Sequence, residues 1–382
     1  MILYSLVATI ALAWIYPQQN PKALTLTPEL RIGQADGPPE YAFGQLGYMA
    51  VTSKGSFFLF DYSDTQIRHY DAAGRFLGLV GRSGAGPGEY RPAVGMALQG
   101  DSLLLVHDPS NRRIAVFDTS GTFRRFISVQ RGTFFGPKAF FVDQAGMVYV
   151  RGGSLKAPIE GLGISSQFFR VGMDGIVRDS IPVPAERGPS RAFILLTADG
   201  GRESFPQKNV FALLPSGEMV TANTGTYRFA VTTARFGTQI VERAFTPIPI
   251  TGEERDQWEA FARYFSTRDG QQLPVAEIPK AKPAFRDICT DPSGRIWVNL
   301  YAKAEKRNIP PRPAGDKRPL LTIREVNAYD LFDLRGRYLG QVTLPPQSQL
   351  MAVSGDRVWV KTEAEGGEHI LTRYRIGGLP PS

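Results

Sequence analysis

Short apolar runs separated by turn residues fill residues 80–129, and together they form one complete structural unit. The apolar runs lie at residues 94–98, 103–107, 114–118 and 123–129, and none is long enough for an ordinary helix. The segments between them, Gln99-Gly100-Asp101 among them, carry the Gly, Asn and Asp that tight turns require. This pattern predicts a four-stranded antiparallel β-meander.

The same unit is repeated along the chain. A shift of 47 residues superimposes a set of turn and core residues: Asp61 on Asp108, Ile67 on Ile114, Asp71 on Asp118 and Gly74 on Gly121. A Gly-rich loop also recurs, as GPPEY at residues 37–41 and GPGEY at residues 86–90. A repeat of this length with four strands is typical of a β-propeller, in which each sheet buries its two faces against neighbouring sheets.

The amino-acid sequence of the repeat resembles that of a known family. The segments GAGPGEYRPAVGMAL and DPSNRRIAVFDTSG resemble NHL repeats, and the whole chain is similar to a bacterial, exported six-bladed propeller of that kind. The resemblance implies an all-β fold. We assign the six blades to residues 48–80, 94–129, 139–183, 210–245, 285–344 and 350–376.

The last blade has only three strands of its own, and a lone strand stands at the other end of the chain. Residues 23–33 precede the first Gly-rich loop as an outermost strand would, but they lack inner strands. We therefore predict that this N-terminal strand completes the last blade beside residues 370–376. Such closure leaves the ring without an open end.

Loop lengths predict a functional face. Because the strands of a blade are antiparallel, the turns after the first and third strands lie on one face and the other loops on the opposite face. The turns after the first strands are tight, whereas the long insertions fall on the opposite face, at residues 151–167, 184–209, 247–283 and 302–324. We call this the insertion face, and we expect function there because insertions on repeat scaffolds accumulate at binding faces.

One insertion contains a predicted helix. Thr251 and Glu254 form a Thr-x-x-Glu capping box, and Trp258, Phe261, Ala262 and Phe265 follow at helical spacing. This apolar stripe predicts a helix that packs on blade 4 or 5. A lid over the central channel is the alternative.

The first 21 residues read as a targeting segment. Residues 2–16 are apolar and uncharged, with the length of a secretory signal core, and Ala11-Leu12-Ala13 offers a small-x-small cleavage site. We predict a cleaved signal peptide and a periplasmic or extracellular protein, with an uncleaved anchor or a misassigned start as alternatives. Residues 22–382 then form a single propeller, expected to be monomeric.

The few cysteines and histidines and the lack of catalytic motifs favour a protein that is not an enzyme. One cysteine and three histidines leave no cysteine-based metal cluster, and His69 and His107 occupy different strand positions. No nucleophile elbow, phosphate loop or dinucleotide fingerprint is present, and no carboxylates pair at a catalytic separation. We predict no catalytic residue, no metal ligand and no cofactor. Ca²⁺ in the channel would need convergent Glu, Asn and Asp on the inner strands, which no motif indicates.

The motif from Asp108 to Arg113 has two interpretations. Asp108 and Asn111 fit an Asx turn, and Arg113 fits a brace for the next strand. Contact of Asn111 and Arg113 with a ligand is the alternative. Cys289, within the innermost strand of blade 5, is predicted to be a buried structural thiol.

The net charge and the placement of basic residues lead to the prediction of function. The formal net charge of +8 favours anionic partners, and the loop at residues 302–324 is rich in Lys and Arg. The starts of four inner strands carry Arg91, Lys138, Lys208 and Arg286, which closure would bring around the channel mouth, with Asp287 neutralising part of the field.

We therefore expect a binding scaffold for a protein, peptide, glycan or other anionic ligand. Nucleic acid is an unfavoured partner because an exported protein rarely meets it. The alternative is a propeller hydrolase or lyase with a divalent metal in the channel.

Overall fold

Six β-sheets form the body of the protein, as the sequence predicts. The computed structural model describes residues 12–16, 22–34, 36–93, 95–129, 138–154, 165–184, 204–268, 271–272, 277–307, 315–364 and 367–380. Each sheet is a blade of four antiparallel strands, and the blades close into a propeller. We number the blades 1 to 6 in chain order and letter their strands a to d from the channel outwards.

The strands of the first three blades follow one another along the chain. Blade 1 comprises Leu46–Val51, Phe57–Asp61, Gln66–Tyr70 and Phe76–Val80. Blade 2 comprises Gly95–Gln99, Leu103–Asp108, Arg113–Asp118 and Phe123–Ser128. Blade 3 comprises Phe140–Val142, Val148–Ser154, Ser165–Val171 and Val177–Pro182.

The last three blades include one strand from the N-terminal part of the chain. Blade 4 comprises Asn209–Leu213, Met219–Asn223, Arg228–Thr233 and Gly237–Arg243. Blade 5 comprises Asp287–Thr290, Ile296–Leu300, Ala328–Phe332 and Tyr338–Thr343. Blade 6 comprises Ser348–Ser354, Arg357–Glu363, His369–Gly377 and Thr25–Ile32.

A few elements lie outside the blades. Leu12–Tyr16 is a fifth strand that runs parallel to strand 4d. One α-helix, α1, spans Gly252–Ser266, and two 3₁₀ turns span Pro39–Tyr41 and Pro109–Asn111. Two-residue strands pair as Arg82–Ser83 with Glu89–Tyr90, Thr267–Arg268 with Gln271–Gln272, and Glu305–Lys306 with Ile323–Arg324. Among the residues described, no helix has the length and hydrophobicity of a membrane span.

A recurrent Asp-x-x-Gly turn joins many of the strands. In blade 2 the Asp118 carboxylate accepts hydrogen bonds from the N–H groups of Ser120 and Thr122, each at 2.9 Å. Gly121 closes the turn with a φ of +88°, which is costly for any residue with a Cβ. The carboxylate and the glycine together fix the turn locally, so each hairpin can form without help from other blades.

The hydrophobic core is divided among the interfaces between blades. Six buried clusters each join two neighbouring blades, and the six interfaces complete the ring. The cluster between blades 6 and 1 contains Ile32 of strand 6d, Tyr70 and the ring pair Phe57–Trp359, whose centroids are 4.4 Å apart. Apolar side chains on both faces of each sheet therefore depend on neighbours for burial.

The N-terminal strand closes the ring as predicted. Strand 6d pairs antiparallel with strand 6c, from Thr25 opposite Gly377 to Ile32 opposite Leu371. Polar contacts then tie blade 6 to the start of blade 1. Lys361 Nζ donates to Leu46 O at 2.8 Å, and His369 Nδ1 accepts from Leu46 N at 2.8 Å.

The residues before strand 6d also cross the outer edge of blade 5. Leu24 N donates to Gln341 O and Gln341 N donates to Lys22 O, both at 2.8 Å. The buried Leu24 side chain comes so close to Gly340 that a Cβ there would lie 2.7 Å from Leu24 Cγ. Gly340, with a φ of +144°, is therefore required for this crossing.

His107 is a buried group that the core does not satisfy. It lies fully buried in strand 2b, and its ring stacks on Phe140 of blade 3 at a centroid distance of 5.2 Å. Neither ring nitrogen has a hydrogen-bond partner in the part of the chain that the structure describes. Burial lowers the pKa of His107 to about 4.

Removal of the closing strand should open the ring. We expect a chain lacking residues 1–33 to aggregate and to lose its cooperative melting transition, because blade 6 then has an unpaired edge and the cluster around Ile32 is exposed. A chain lacking only residues 1–21 keeps all four strands of every blade and should stay monodisperse. Size-exclusion chromatography and calorimetry compare the two. Equal behaviour would show that strand 6d is dispensable.

His107 should make the fold sensitive to acid. The unfolded residue gains a proton near pH 6.5, whereas the folded residue stays neutral until about pH 4, so its contribution to stability is lost as the pH falls through this window. The loss amounts to roughly 3 kcal/mol at full extent. Urea unfolding at pH 7 and pH 4.5 should show a smaller acid loss for His107→Phe than for the wild type. Parallel pH profiles would refute this assignment.

Candidate functional site

The insertions of blades 3, 4 and 5 pack together on the insertion face. Phe205, Ile250 and Ile278 are buried against Trp258 of α1 and Tyr301, which follows strand 5b. The ring of Phe205 lies 5.5 Å from that of Trp258 and 5.7 Å from that of Tyr301. We call these five residues the insertion cluster. The helix is therefore held by other insertions, an arrangement that the sequence did not predict.

The start of α1 follows its predicted capping box only in part. Thr251 Oγ1 accepts from Glu254 N at 3.2 Å, as an N-cap hydroxyl should. The Glu254 carboxylate, however, pairs with Lys282 Nζ at 2.8 Å. The Lys282 side chain is fully buried, so it draws the carboxylate away from the helix end.

Lys282 lies at the centre of a buried ion network. Its Nζ also lies 2.9 Å from Glu325 Oε1 and donates to Ala302 O at 3.0 Å. The second oxygen of Glu325 accepts from Ala302 N at 2.7 Å and pairs with Arg286 Nη2. Two acids and two bases therefore balance beneath the helix, and the charge of Arg286 is compensated within the protein.

Lys138 and Asp287 meet at the channel end of the inner strands. Lys138 Nζ lies 2.5 Å from Asp287 Oδ1 and donates to Phe211 O at 2.8 Å. One side chain thus joins the inner strands of blades 4 and 5 to the segment that leads into blade 3. Asp287 neutralises a basic residue, as the sequence predicts, but its partner is Lys138 of a distant blade and not the adjacent Arg286.

Three other candidate residues gather around Asp108 of blade 2. Asp108 is fully buried; its Oδ2 accepts from Arg91 N at 3.3 Å and from Asn111 Nδ2 at 2.6 Å. Arg113 Nε lies 3.6 Å from the same oxygen, and Arg113 Nη2 donates to Glu89 O at 2.9 Å. Asn111 and Arg113 therefore hold the Gly-rich loop, which is the turn and brace interpretation, while the side chain of Arg91 is exposed.

Lys208 forms no ion pair with these groups among the described residues. Its backbone N–H donates to Thr224 Oγ1 at 2.9 Å, and its half-buried side chain has no carboxylate partner among the described residues. The seven candidate residues therefore have separate sets of bonding partners. They divide into the Lys138–Asp287 pair, the group around Asp108, Arg286 in the ion network, and Lys208.

The sequence did not single out a pair of arginines on the insertion face. A short hairpin pairs Glu305 with Arg324 and Lys306 with Ile323. Arg307 Nη2 donates to Glu325 O at 2.7 Å, and Arg324 Nε donates to Leu321 O at 3.1 Å, so the hydrogen bonds that both guanidinium groups make within the described chain are to carbonyl oxygens. Burial and the nearby charge of Arg324 lower the pKa of Arg307. The basic loop was noticed in the sequence, but its two ends could not be paired without the hairpin.

The described residues offer little for a metal ion. No group of three or more His, Cys, Asp and Glu side chains among them is placed to hold one. One oxygen is without a partner: Asn299 Oδ1 is buried and accepts no hydrogen bond in the described chain, and Asn299 is the cross-strand partner of Asp287.

Comparison with known proteins supports the fold alone. No family model matches the chain, and no curated protein matches it. A member of the DUF4221 family from Bacteroides vulgatus is 12% identical, with a TM-score of 0.52 over 94% of this chain and 100% of that one. A candidate exported protein from Bacteroides fragilis is 10% identical, with a TM-score of 0.51 over 96% of this chain and 99% of that one.

A gluconolactonase from Xanthomonas campestris is more distant in structure, with 11% identity and a TM-score of 0.41 over 93% of this chain and 98% of that one. The two Bacteroides structures support the propeller fold, whereas the specific resemblance to NHL repeats is not confirmed.

Loss of the central lysine should destabilise the fold strongly. We expect Lys282→Met to cost about 3–5 kcal/mol in urea unfolding, because Glu254 would be left as an unpaired buried charge and Glu325 would keep only Arg286 as its basic partner. Adding Glu254→Gln should recover part of this loss. Arg75→Ala removes an exposed ion pair with Asp71 and should cost at most about 1 kcal/mol. Equal costs for Lys282→Met and Arg75→Ala would contradict the network.

Proposed function

We propose that this chain is an exported binding scaffold that takes an anionic ligand on its insertion face. The proposed contact is the hairpin of Glu305–Lys306 and Ile323–Arg324, together with Arg307. Export is proposed from the apolar segment at residues 2–16, which has the length of a secretory signal.

The observation that carries the proposal is the pair Arg307 and Arg324. Arg307 follows the first strand of the hairpin and donates its backbone N–H to Thr322 O at 2.8 Å, two residues before Arg324, and both guanidinium groups donate to carbonyl oxygens. Glu305, the cross-strand partner of Arg324, offsets part of this charge, and Lys306 lies 3.7 Å from Glu253 in an exposed pair. Like charges held together repel, and a bound carboxylate or sulfate would relieve that repulsion with charge-assisted hydrogen bonds.

The surroundings supply a rigid support. Gln257 of α1 accepts from Thr322 N at 2.7 Å and donates to Thr322 Oγ1 at 2.7 Å, which fixes the second strand of the hairpin to the helix. The helix is in turn fixed by Lys282 and the insertion cluster. A binding site on such a support loses little conformational entropy when a ligand arrives. Lys138 and Arg286, whose charges are paired internally, act as parts of this support.

Binding of labelled heparin and labelled polyglutamate tests the proposal and separates a sulfated glycan from an acidic peptide. We expect one of them to bind at low salt with an affinity that falls steeply as salt is added. Arg307→Gln with Arg324→Gln should weaken binding by about tenfold or more.

The matched control is Lys54→Gln with Arg335→Gln, which removes the same charge from exposed positions on the opposite face. Absence of binding by both probes, or equal losses in the two double variants, would overturn the proposal.

A second candidate function is a hydrolase or lyase with a divalent metal in the channel. The buried, unpartnered Asn299 Oδ1 beside Asp287 favours it, because amide and carboxylate oxygens are the ligands that Ca²⁺ prefers. In this structure the positive charge beside Asp287 is the Lys138 ammonium group, in the place that a metal ion would take in this candidate function. A rise in melting temperature with Ca²⁺ that is lost in Asp287→Asn would favour this candidate over the scaffold. No response to Ca²⁺ would remove it.

A further inference from the structure

The outer edge of blade 4 differs from the other five because it carries an additional strand. Leu12–Tyr16 pairs in parallel with strand 4d, in a continuous register from Leu12 opposite Gln239 to Tyr16 opposite Arg243. The pairing joins five residues of the N-terminal apolar segment to the rim of the propeller. This rim and the hairpin of the proposed function are formed by different residues, and the inference below shares with that function only the proposed export of the chain.

Blade 4 is also the blade whose two outer strands pair without interruption. In blades 1, 2, 3, 5 and 6 a register shift interrupts the pairing of strand c with strand d. Strands 4c and 4d pair without a shift, from Arg228 opposite Glu242 to Thr233 opposite Gly237. A bulge twists an edge strand and disfavours the addition of another strand, whereas a regular edge is open to it. The bulged edge of blade 5 accordingly takes only the single parallel bridge of Ala23 to Gln341, whereas strand 4d pairs with five consecutive residues.

The sequence explains the regular edge. Strands c and d of blades 1, 2 and 5 are joined by Asp-x-x-Gly turns at Asp71, Asp118 and Asp333, and each is followed by the shifted pairing. Blade 4 has Thr233-Ala234-Arg235-Phe236-Gly237 at this point. Here Thr233 Oγ1 accepts from Phe236 N at 3.1 Å, and Thr233 pairs directly with Gly237. Blade 4 therefore has neither the Asp-x-x-Gly turn nor the bulge, whereas blade 3 keeps the bulge with a turn from Gly172 to Gly175.

We propose that the outer edge of blade 4 is a strand-addition site for a short, extended apolar segment in parallel orientation. In the full chain the occupant is Leu12–Tyr16. Processing of residues 1–21, which the sequence predicts, removes that strand and leaves every four-stranded blade and the closing strand 6d intact. The exported chain then presents strand 4d to a partner protein that offers an exposed apolar segment of similar chemistry. The main-chain hydrogen bonds of strand 4d supply affinity, and the register supplies specificity.

Apolar character alone does not select the site. Leu77 and Leu79 are exposed on strand 1d, at 56% and 51%, so the edge of blade 1 is also apolar. That edge carries a register shift at His69 and Tyr70 and a glycine, Gly78, with a φ of +154°. Blade 1 therefore serves as an apolar but irregular comparison for blade 4.

Disulfide trapping on the chain that begins at Lys22 tests the register. A synthetic peptide of residues 10–18 is made with Cys in place of Ala13 or of Ile15, the register partners of Ile240 and Glu242. Each peptide is offered to protein carrying Ile240→Cys, Glu242→Cys or, on the blade 1 edge, Leu79→Cys. The native Cys289 is half-buried, not fully buried as the sequence predicts, so it is replaced by serine in every protein used.

We expect the matched pairs 13 with 240 and 15 with 242 to form at least about tenfold faster than the crossed pairs, because prior strand addition raises the effective concentration of the matched thiols. The full chain with the same cysteines should react more slowly, since its own strand occupies the edge. Two further peptides carry N-methyl groups at either the odd or the even positions. Only alternate N–H groups of a strand face its neighbour, so one of these peptides should lose its bonds to strand 4d and fail to react, while the other should react normally.

Equal rates for matched and crossed pairs, equal reaction at Leu79→Cys, or equal sensitivity to both methylation patterns would each overturn the proposal. Reaction that is indifferent to the presence of residues 12–16 in the full chain would do so as well.

Discussion

Burial of two apolar faces per sheet is the constraint on which the whole molecule depends. Strand 2b illustrates it: Leu104 and Val106 pack towards blade 1, while Leu105 packs towards blade 3. No blade can bury both sets of side chains alone, so each is stable only between two neighbours. The ring has to be complete for any one blade to be fully buried, and strand 6d with Ile32 completes it.

The insertions obey a different constraint, because they lie outside these interfaces and bury charge as well as apolar surface. A lysine with no exposure is costly, and two carboxylates, one carbonyl and the ring of Phe205 surround Lys282. Such a network adds little net stability compared with apolar packing, but any displaced partner leaves a buried charge unpaired. The helix is therefore fixed in one position relative to blade 5, which is what the proposed binding surface requires.

Local chemistry decided which parts of the fold could be predicted from the sequence. The turn at Asp118 to Gly121 needs only its own residues, and the position of the N-terminal strand followed from a last blade one strand short. The site residues were harder to predict. Lys138 and Asp287 lie 149 residues apart and meet only because the side chain of Lys138 reaches past the inner strand of blade 4. The sequence also did not predict the regular edge of blade 4, because the missing Asp-x-x-Gly motif cannot be told from ordinary divergence of the repeat.

The pairing of Thr25–Ile32 with His369–Gly377 also sets the order in which the protein can mature. The strand that closes the ring is synthesised before blades 1 to 5, and its partner strand is synthesised after them. Blades 1 to 5 can assemble one after another from sequential hairpins, but strand 6d stays unpaired until all five have been synthesised and strand 6c follows them. A chain that stalls between residues 344 and 347 carries every strand of five blades and still exposes the flanks of the first and the fifth, so an incomplete product can be recognised by these two exposed apolar surfaces.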